Sequence, residues 1–321
     1  MAENPLIEIL LATYNGEMYV EQQIRSLMEQ TYKNIRVVVS DDGSTDGTIV
    51  IVKKLMKEDS RIVLNSFGHR KGGAKQNFFH LLKLARADFV MFCDQDDVWE
   101  SQKVEYTLKE MIRGECRKCP RLVYTDMKVV DKHLRVINNS FLKSSNIPVG
   151  RYDLNSVCVQ NIGAGCTMMV NRQLINYALR QFNMENVIMH DWWISLIAAA
   201  FGSVGFINLQ TVQYRQHGNN SIGAVKYSAF KNAINYNRMI RRIDLAIRQT
   251  KEFAEVFHDE LTEKQLSDLK NFYEIPNQTL VRRFFHICLL CRVWKKGGIK
   301  KIGQFISLMC LTKDGNHGLE R

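Results

Sequence analysis

The first hundred residues alternate short apolar runs with amphipathic segments, as strands and helices do when they take turns along a chain. Apolar runs of strand length occupy residues 6–12, 35–39, 61–65 and 89–93. Helix-spaced apolar positions occupy residues 18–30, 47–57 and 76–85. This alternation predicts an α/β domain with a parallel sheet and helices on both of its faces.

Polar stretches follow three of these strands, at residues 13–16, 41–44 and 94–97. Ligands of such sheets bind outside the carboxyl ends of the strands. We therefore expect the three stretches to converge on one crevice.

The fourth apolar run ends abruptly in an acidic cluster, within the segment FVMFCDQDDVW. Asp94, Asp96 and Asp97 lie within four residues, and carboxylates that close resist joint ionisation unless a cation is present. Hard oxygen ligands suit Mg²⁺ or Mn²⁺, often together with the phosphates of a substrate. The cluster favours a site for a metal and a diphosphate, and an acidic turn after a buried strand is the alternative.

The pattern continues beyond the acidic cluster with further strands and helices. Strands are predicted at residues 122–126, 128–131, 166–170, 204–209 and 212–216, a helix at 101–113, and a loop at 140–150. Residues 192–209 carry no charge over about the length of a membrane helix. Because Gly202 and Gly205 divide this run, a buried helix followed by a strand is the preferred interpretation.

Four further features are candidates for chemistry, each with a structural alternative. Arg70 and Lys75 lie in a glycine-rich basic loop that suits phosphate or is merely solvated. The glycines at 163–165 indicate a tight turn, or a place where a sugar lies against the backbone. Asp191 precedes two tryptophans, so it is either a desolvated general base or a helix cap beside core residues. His217 follows a strand and is either a metal ligand or structural.

The pattern changes to long helical periodicity from residue 226 onward. Helices are predicted at residues 226–257, 262–273, 279–294 and 299–312, with paired basic residues beside apolar faces. Basic amphipathic helices lie in membrane interfaces. Packing on the first domain or on another subunit is the alternative, and the predicted domains are residues 1–225 and 226–321.

Composition limits the partners and the compartment. The chain has 321 residues, 45% hydrophobic and 24% charged, as in a folded protein, and a net charge of +11 that favours an anionic partner. Nucleic acid is the weakest such partner, because no zinc-finger or RNA-binding signature occurs. The eight cysteines fit a reducing cytoplasm, and the two CxxC pairs do not indicate a zinc site. The N-terminus shows no signal-peptide pattern.

Four motifs in order, ATYNG, SDDGSTDGT, DQDD and HDWW, resemble those of family 2 glycosyltransferases. The variants DQDDVW, HDWW and YRQHGNN are most similar to bacterial rhamnosyltransferases of cell-surface polysaccharide assembly. The resemblance covers roughly residues 6–220. It implies the GT-A (Rossmann-like) nucleotide-diphospho-sugar transferase fold, to which the C-terminal helices are an extension.

The resemblance also implies roles for individual residues. Asp96 and His217 would hold Mn²⁺ or Mg²⁺, with Asp97 able to share that role, and Asp191 would be the catalytic base, although His190 replaces the glutamate often found before it. Residues expected to bind the nucleotide sugar are Thr13, Tyr14, Asn15, Asp42, Arg70, Lys75, Asp94 and Gln95. Residues expected in the acceptor or sugar pocket are Gly165, Cys166, Trp192 and Trp193.

The function expected from this resemblance is metal-dependent, inverting transfer of a sugar, with dTDP-L-rhamnose as the implied donor. The acceptor would be a glycan on a lipid carrier or a growing polysaccharide, and the enzyme would act at the inner face of the plasma membrane in contact with anionic lipid. The alternatives are another donor such as UDP-glucose, UDP-galactose or UDP-GlcNAc, a sugar-phosphate nucleotidyltransferase, and a non-catalytic glycan-binding homologue. Assembly of subunits through the C-terminal helices is an alternative to membrane contact.

Overall fold

The computed structural model describes residues 4–66, 70, 72–113, 118–150, 152–217, 232–296 and 298–311. The chain divides into two compact units. The sheet unit comprises Met1–Arg151, Ile162–Leu179 and Phe201–Ala224, and the helical unit comprises Tyr152–Asn161, Arg180–Ala200 and Val225–Arg321. The helical unit therefore includes two segments from the middle of the chain, which the predicted domains did not anticipate, and the boundary at residue 225 stays a prediction.

Nine strands form one mixed sheet in the described residues. In chain order they are β1 (Ile7–Thr13), β2 (Ile35–Asp41), β3 (Ile62–Ser66), β4 (Phe89–Cys93), β5 (Val98–Trp99), β6 (Arg121–Val130), β7 (Val136–Asn138), β8 (Met168–Asn171) and β9 (Ser203–Arg215). They lie in the order β3, β2, β1, β4, β8, β6, β9, β5, and β7 pairs with β6. The first four strands pair in parallel, which puts their carboxyl ends at one edge of the sheet.

The remaining strands make the sheet mixed rather than wholly parallel. β8 runs antiparallel to both β4 and β6, whereas β6 runs parallel to β9. The α/β class is confirmed, and the parallel pairing predicted from the first hundred residues holds for β1 to β4. The first half follows the predicted alternation, because each strand from β1 to β4 is separated from the next by one helix.

Twelve α-helices occur in the described residues. In chain order they are α1 (Val20–Met28), α2 (Thr48–Glu58), α3 (Ala74–Leu84), α4 (Lys103–Arg113), α5 (Phe141–Ser144), α6 (Leu154–Val157), α7 (Arg172–Ala178), α8 (His190–Phe201), α9 (Asn232–Val256), α10 (Glu263–Tyr273), α11 (Leu280–Leu289) and α12 (Gly298–Met309). Asn171 caps α7, with its side chain accepting the N–H of Leu174. The predicted loop at 140–150 begins with α5, capped by Ser140.

Two predicted strand breaks are wrong, because β6 and β9 each form one long strand. The breaks were expected near Asp126 and Gln210, polar residues that interrupt the apolar runs. These two residues are partners in the β6–β9 pairing, and the Gln210 amide donates to the Asp126 carboxylate at 3.4 Å. The register also shifts around Asp126. Polar groups that satisfy each other inside a sheet thus mimic strand ends in the sequence.

The uncharged run at 192–209 divides as expected into the end of α8 and the start of β9. No helix among the described residues combines the length and apolar character needed to cross a membrane. Among the described residues, six cysteines have free thiols, whereas Cys119 is disulfide-bonded, which the expectation of reduced cysteines did not include.

The C-terminal half of the helical unit contains four helices at the predicted places. The predicted start of the first one lies outside the described residues. Thr262 and Gln265 form a capping box at the start of α10. α11 ends at Leu289, five residues before the predicted end. The residues directly after α11 are not helical. The buried side chain of Gln304 bonds their main chain, donating to the carbonyl of Val293 and accepting the N–H of Lys295, each at 2.8 Å.

Candidate functional site

Hydrogen bonds join the loops at the carboxyl ends of β1, β2 and β4. The main chain of Tyr14 and the side-chain amide of Gln95 bond each other in both directions, at 2.8 Å each. The N–H of Asn15 donates to Ser44 Oγ (2.8 Å), and its side-chain oxygen accepts the N–H of Thr45 (2.9 Å). The three polar stretches therefore converge, as the parallel order of the strands predicts.

Thr13 and Asp42 are buried where the β1 and β2 loops meet. The Thr13 hydroxyl donates to Asp41 at 2.8 Å, and the Thr13 carbonyl accepts the N–H of Asp42 at 2.8 Å. The Asp42 carboxylate accepts the N–H of Gly73 at 2.8 Å, and Gly73 has a φ of 105° that favours glycine. The Asp42 carboxylate, which is expected to bind the nucleotide sugar, thus accepts an N–H of the protein itself.

The basic loop before α3 contributes one cation to the same place. The Arg70 guanidinium lies 5.5 Å from the ring centre of Tyr14, a cation–π contact. Lys75 is half-buried in the first turn of α3. Residues 67–69 and 71 of this loop lie outside the described residues. The Tyr14 ring is 41% exposed, which leaves aromatic surface beside Arg70 for a ligand.

Asp96 and His217 form a close pair. Asp96 Oδ2 lies 2.7 Å from His217 Nε2, and both side chains are less than one-fifth exposed. One comes from the loop after β4 and the other from the segment after β9. Two residues 121 positions apart, both expected to hold a metal, therefore lie in direct contact.

Asp94, Asp97 and Cys166 form a second group, in which one ligand atom from each lies within 4.8 Å of the others. Burial and the nearby charges of Asp96 and Asp94 raise the pKa of Asp97 well above its ordinary value. Cys166 lies in the 3₁₀ turn Gly165–Thr167, which is buried, so the glycines here serve a turn. Cys166 thus meets carboxylates, a position that its sequence context did not indicate.

The Asp96 and His217 pair fits a divalent ion better than the second group does. A carboxylate suits Mg²⁺ or Mn²⁺, and neutral imidazole is the commonest metal ligand among side chains. Neighbouring ligands of an octahedral ion, with bonds of about 2.1 Å, lie about 3 Å apart. The 2.7 Å between Asp96 Oδ2 and His217 Nε2 is the length of a hydrogen bond, and an ion bound by both atoms would take the place of its proton. The thiol of Cys166 is a soft ligand that these hard ions do not favour.

Two buried cations near the acidic loop were missed by the sequence analysis. Burial lowers the pKa of Lys103 to about 8, and its Nζ lies 4.6 Å from the ring centre of Trp99. The main-chain N–H of Arg215 donates to Asp97 Oδ1 at 3.1 Å. A signal for Lys103 exists, since it shares a helical face with Thr107 and Met111, and all three are buried.

Asp191 belongs to the helical unit, where it is buried in the first turn of α8. The helix begins one residue earlier, at His190, so Asp191 does not occupy the N-cap position. Burial lowers the pKa of His190 to about 3, so its imidazole is neutral at neutral pH. The residue before Asp191 therefore carries no charge at neutral pH.

The two tryptophans after Asp191 differ in placement. Trp192 is half-buried, and its Nε1 donates to the carbonyl of Val157 at 2.6 Å. Trp193 is fully buried, with ring contacts to Phe182, Phe253 and Phe257. Trp193 has no exposed surface that could contact a sugar. It is therefore a core residue, which was the structural alternative, and its expected place in a sugar pocket is wrong.

Comparisons with known proteins agree with the motifs. The family model described as "Glycosyl transferase family 2" matches residues 8–176. The "dTDP-rhamnosyl transferase RfbG" of Shigella flexneri is 30% identical over 241 residues, covering 67% of this chain and 74% of that protein. The "UDP-Glc:alpha-D-GlcNAc-diphosphoundecaprenol beta-1,3-glucosyltransferase WfgD" of Escherichia coli is 25% identical over 229 residues, covering 70% and 83%.

Solved structures show the same fold. The mannosyltransferase PcManGT of Pyrobaculum calidifontis, in complex with GDP-Man and Mn²⁺, superposes with a TM-score of 0.55 at 16% identity. The match covers 89% of this chain and 73% of that one. The expected GT-A fold with a helical C-terminal extension is thereby confirmed.

Proposed function

The chain belongs to the family 2 glycosyltransferases, and we propose that it transfers L-rhamnose from dTDP-L-rhamnose to a glycan acceptor on a lipid carrier. The observation that carries the proposal is the convergence of three strand-end loops near an aspartate–histidine pair. The donor is supported by the name of the Shigella flexneri relative, a dTDP-rhamnosyl transferase. The acceptor class is supported by the diphosphoundecaprenol in the name of the Escherichia coli relative.

The nucleotide part of the donor is proposed to bind the β1 and β2 loops. Tyr14 offers an exposed ring to the base, and Asp42 offers a buried carboxylate to a base N–H. Arg70, beside the Tyr14 ring, and Lys75 would meet the diphosphate, while Asp94 would meet the ribose. Thr13, Asn15 and Gln95 fix the loops that carry these groups.

Asp96 and His217 would hold Mn²⁺ or Mg²⁺ beside the diphosphate. When bound, such an ion acts as a Lewis acid and neutralises the negative charge of the leaving group. The protein contributes the direction of the two ligand atoms, which already lie 2.7 Å apart.

Asp191 would be the base that takes the proton from the acceptor hydroxyl. A single displacement in which a carboxylate accepts this proton inverts the anomeric centre. The neutral imidazole of His190 adds no positive charge that would compete for the Asp191 carboxylate.

A lipid-linked acceptor requires the enzyme to work at a membrane, and α11 and α12 have the matching surface. We call it the apolar–basic surface; its exposed apolar residues are Leu280, Val281, Phe285, Leu289 and Ile302, and its exposed cations are Arg282, Arg292 and Lys301. Residues 275–311 contain no acidic residue. The combination is complementary to an anionic bilayer, and we propose peripheral contact with the inner face of the plasma membrane.

The two helices of this surface contact each other through side chains. The rings of Phe284 and Phe305 lie 6.0 Å apart in an edge-to-face contact. Arg283 is buried between the helices' ends, where it donates to the carbonyls of Met309 (3.2 Å) and Leu311 (2.5 Å). The exposed apolar side chains therefore lie on two helices that contact each other.

A panel of nucleotide sugars tests the function. Purified protein with Mn²⁺ receives dTDP-L-rhamnose, UDP-glucose, UDP-galactose or UDP-GlcNAc, and release of the nucleoside diphosphate is measured with and without chelator. We expect turnover of dTDP-L-rhamnose to exceed that of the others by about tenfold or more. Faster turnover of UDP-glucose, the donor in the name of the Escherichia coli relative, would replace the donor and keep the reaction class. No turnover of any donor would favour the glycan-binding alternative.

A further inference from the structure

The imidazole of His217 is held by an aromatic contact as well as by Asp96. It stacks on the Tyr19 ring, with centroids 4.9 Å apart and planes at 24°. Tyr19 immediately precedes α1, and the N–H groups of Tyr19 and Val20 both donate to the carbonyl of Gly16, at 3.0 and 2.9 Å. The Tyr19 ring thus stands on a fixed turn and restricts rotation of the imidazole.

Arg215 contacts the same tyrosine ring from the end of β9. Its guanidinium carbon lies 4.7 Å from the ring centre of Tyr19. The side chain is buried and donates to the carbonyls of Asp96 and Lys132, both at 2.8 Å, and to Gln22 Oε1 at 2.6 Å. A planar guanidinium group that donates to three separate acceptors has one favourable orientation.

Arg215 also connects the two segments that carry the proposed metal ligands. Its main-chain N–H donates to the Asp97 carboxylate, and its side chain donates to the carbonyl of Asp96, so it bonds two consecutive residues of the acidic loop. His217 follows Arg215 by two residues. The separation of Asp96 and His217 is therefore set through one buried arginine.

We propose that Tyr19 and Arg215 are positioning residues that hold the His217 imidazole toward the metal position beside Asp96, an inference that rests on the proposed metal-binding role of that pair. Outer contacts of this kind orient metal-binding histidines, and their loss costs about 10- to 100-fold in metal affinity. Tyr19 acts by stacking, so the aromatic ring matters and the hydroxyl does not. Arg215 acts through its planar fork, so charge alone does not replace it.

Binding of Mn²⁺ to the purified protein tests this, with dissociation constants from titration and the coupling of bound Mn²⁺ to a nitrogen nucleus from pulsed EPR. Tyr19→Phe keeps the ring and should retain wild-type affinity and coupling. Tyr19→Leu loses the stack, and Arg215→Lys loses the fork. Both should weaken Mn²⁺ binding about tenfold or more and diminish the nitrogen coupling. His217→Ala sets the value for complete loss of that coupling.

A matched control is Tyr106→Leu, on the half-buried face of α4, which should bind Mn²⁺ as the wild type does. Thermal melting of every variant shows whether it is folded. Wild-type affinity and full coupling in Tyr19→Leu would overturn the inference while leaving the metal role of His217 intact. An equal loss in Tyr106→Leu would also overturn it. Absence of nitrogen coupling in the wild type would overturn the metal role itself, and the inference with it.

Discussion

Polar contacts dominate one region of the molecule and exposed apolar side chains dominate another. The first is the loop cluster of the sheet unit, by which we mean the loops at the carboxyl ends of β1, β2 and β4 together with His217. The second is the apolar–basic surface of the helical unit. In the loop cluster, polar groups of distant segments bond each other, as in the pairs Tyr14–Gln95 and Asp96–His217. On α11 and α12, apolar side chains such as Val281, 70% exposed, face solvent beside cations. One region is closed by its own contacts, and the other presents surface that its own fold does not cover.

The difference shows what each region needs from a partner. Buried polar groups must be satisfied within the fold, so the loop cluster is preorganised and a ligand adds to an existing arrangement. Exposed apolar side chains with cations among them suit the anionic bilayer that we propose as the partner of the second region. Substitutions in the first region should therefore change chemistry and ion affinity, and those in the second should change location.

The largest effect is expected from Asp191→Asn, which tests whether the helical unit contributes chemistry in addition to a docking surface. Loss of a general base lowers kcat by about 10²- to 10⁴-fold. Donor binding, measured by calorimetry, should stay close to wild type because the β1 and β2 loops are untouched. Asp153→Asn is the matched control, since Asp153 caps α6 and asparagine caps equally well. Wild-type turnover by Asp191→Asn would make Asp191 a structural residue.

Asp96→Ala should give the next largest effect, and it tests whether the closed loop cluster is a metal site. Removing one of two direct side-chain ligands should weaken Mn²⁺ binding more than the loss of an outer contact does, by at least about 100-fold. Calorimetry with Mn²⁺ and dTDP measures the loss. Asp88→Ala is the control, because Asp88 is an exposed acid just before the amino end of β4 whereas Asp96 follows its carboxyl end. Equal binding by both variants, with and without chelator, would refute the metal assignment.

The loop cluster could be predicted from the sequence because its signals are local. Each polar stretch follows an apolar run directly, and parallel strand order then brings the stretches to one edge. The pairing of Asp96 with His217 was predicted from the family resemblance alone. Nothing in their spacing of 121 residues indicates that they are in contact.

Residues whose role depends on tertiary contacts were not predicted. In the sequence, Arg215 looks like a surface cation at the end of a strand, yet it is buried and donates to acceptors from three other segments. Asp126 and Gln210 looked like strand ends because each is polar, and their mutual pairing is visible only in the sheet. In the sequence, Trp193 fits a core position as well as a sugar pocket, and the phenylalanines that bury its ring, Phe253 and Phe257, lie about 60 residues downstream.

Val281→Glu tests the apolar–basic surface. Burial of a valine side chain in a membrane interface stabilises binding by about 1.5 kcal/mol, so the variant should bind anionic vesicles about tenfold more weakly. Vesicle flotation measures the effect, and Val50→Glu on α2 is the matched control, being 73% exposed in the wild type. Equal flotation of both variants would end the membrane proposal. Loss of a dimer by light scattering, without any change in flotation, would assign the surface to a second copy of the chain.

The smallest effect is the pH dependence of stability from His190, which tests whether the core around Asp191 is as dry as its burial indicates. The pKa of His190 falls from 6.5 to about 3 on folding, so between these values the unfolded chain binds a proton that the folded protein excludes. Acid therefore destabilises the fold, by about 1 kcal/mol between pH 6.5 and 5.5. Denaturant titration should show this part of the slope disappear in His190→Gln and persist in His133→Gln, a change at an exposed histidine. If the pH dependence of stability were unchanged in His190→Gln, water would reach the start of α8. The core of the helical unit would then not be closed to water in the way that the loop cluster is closed by its own contacts.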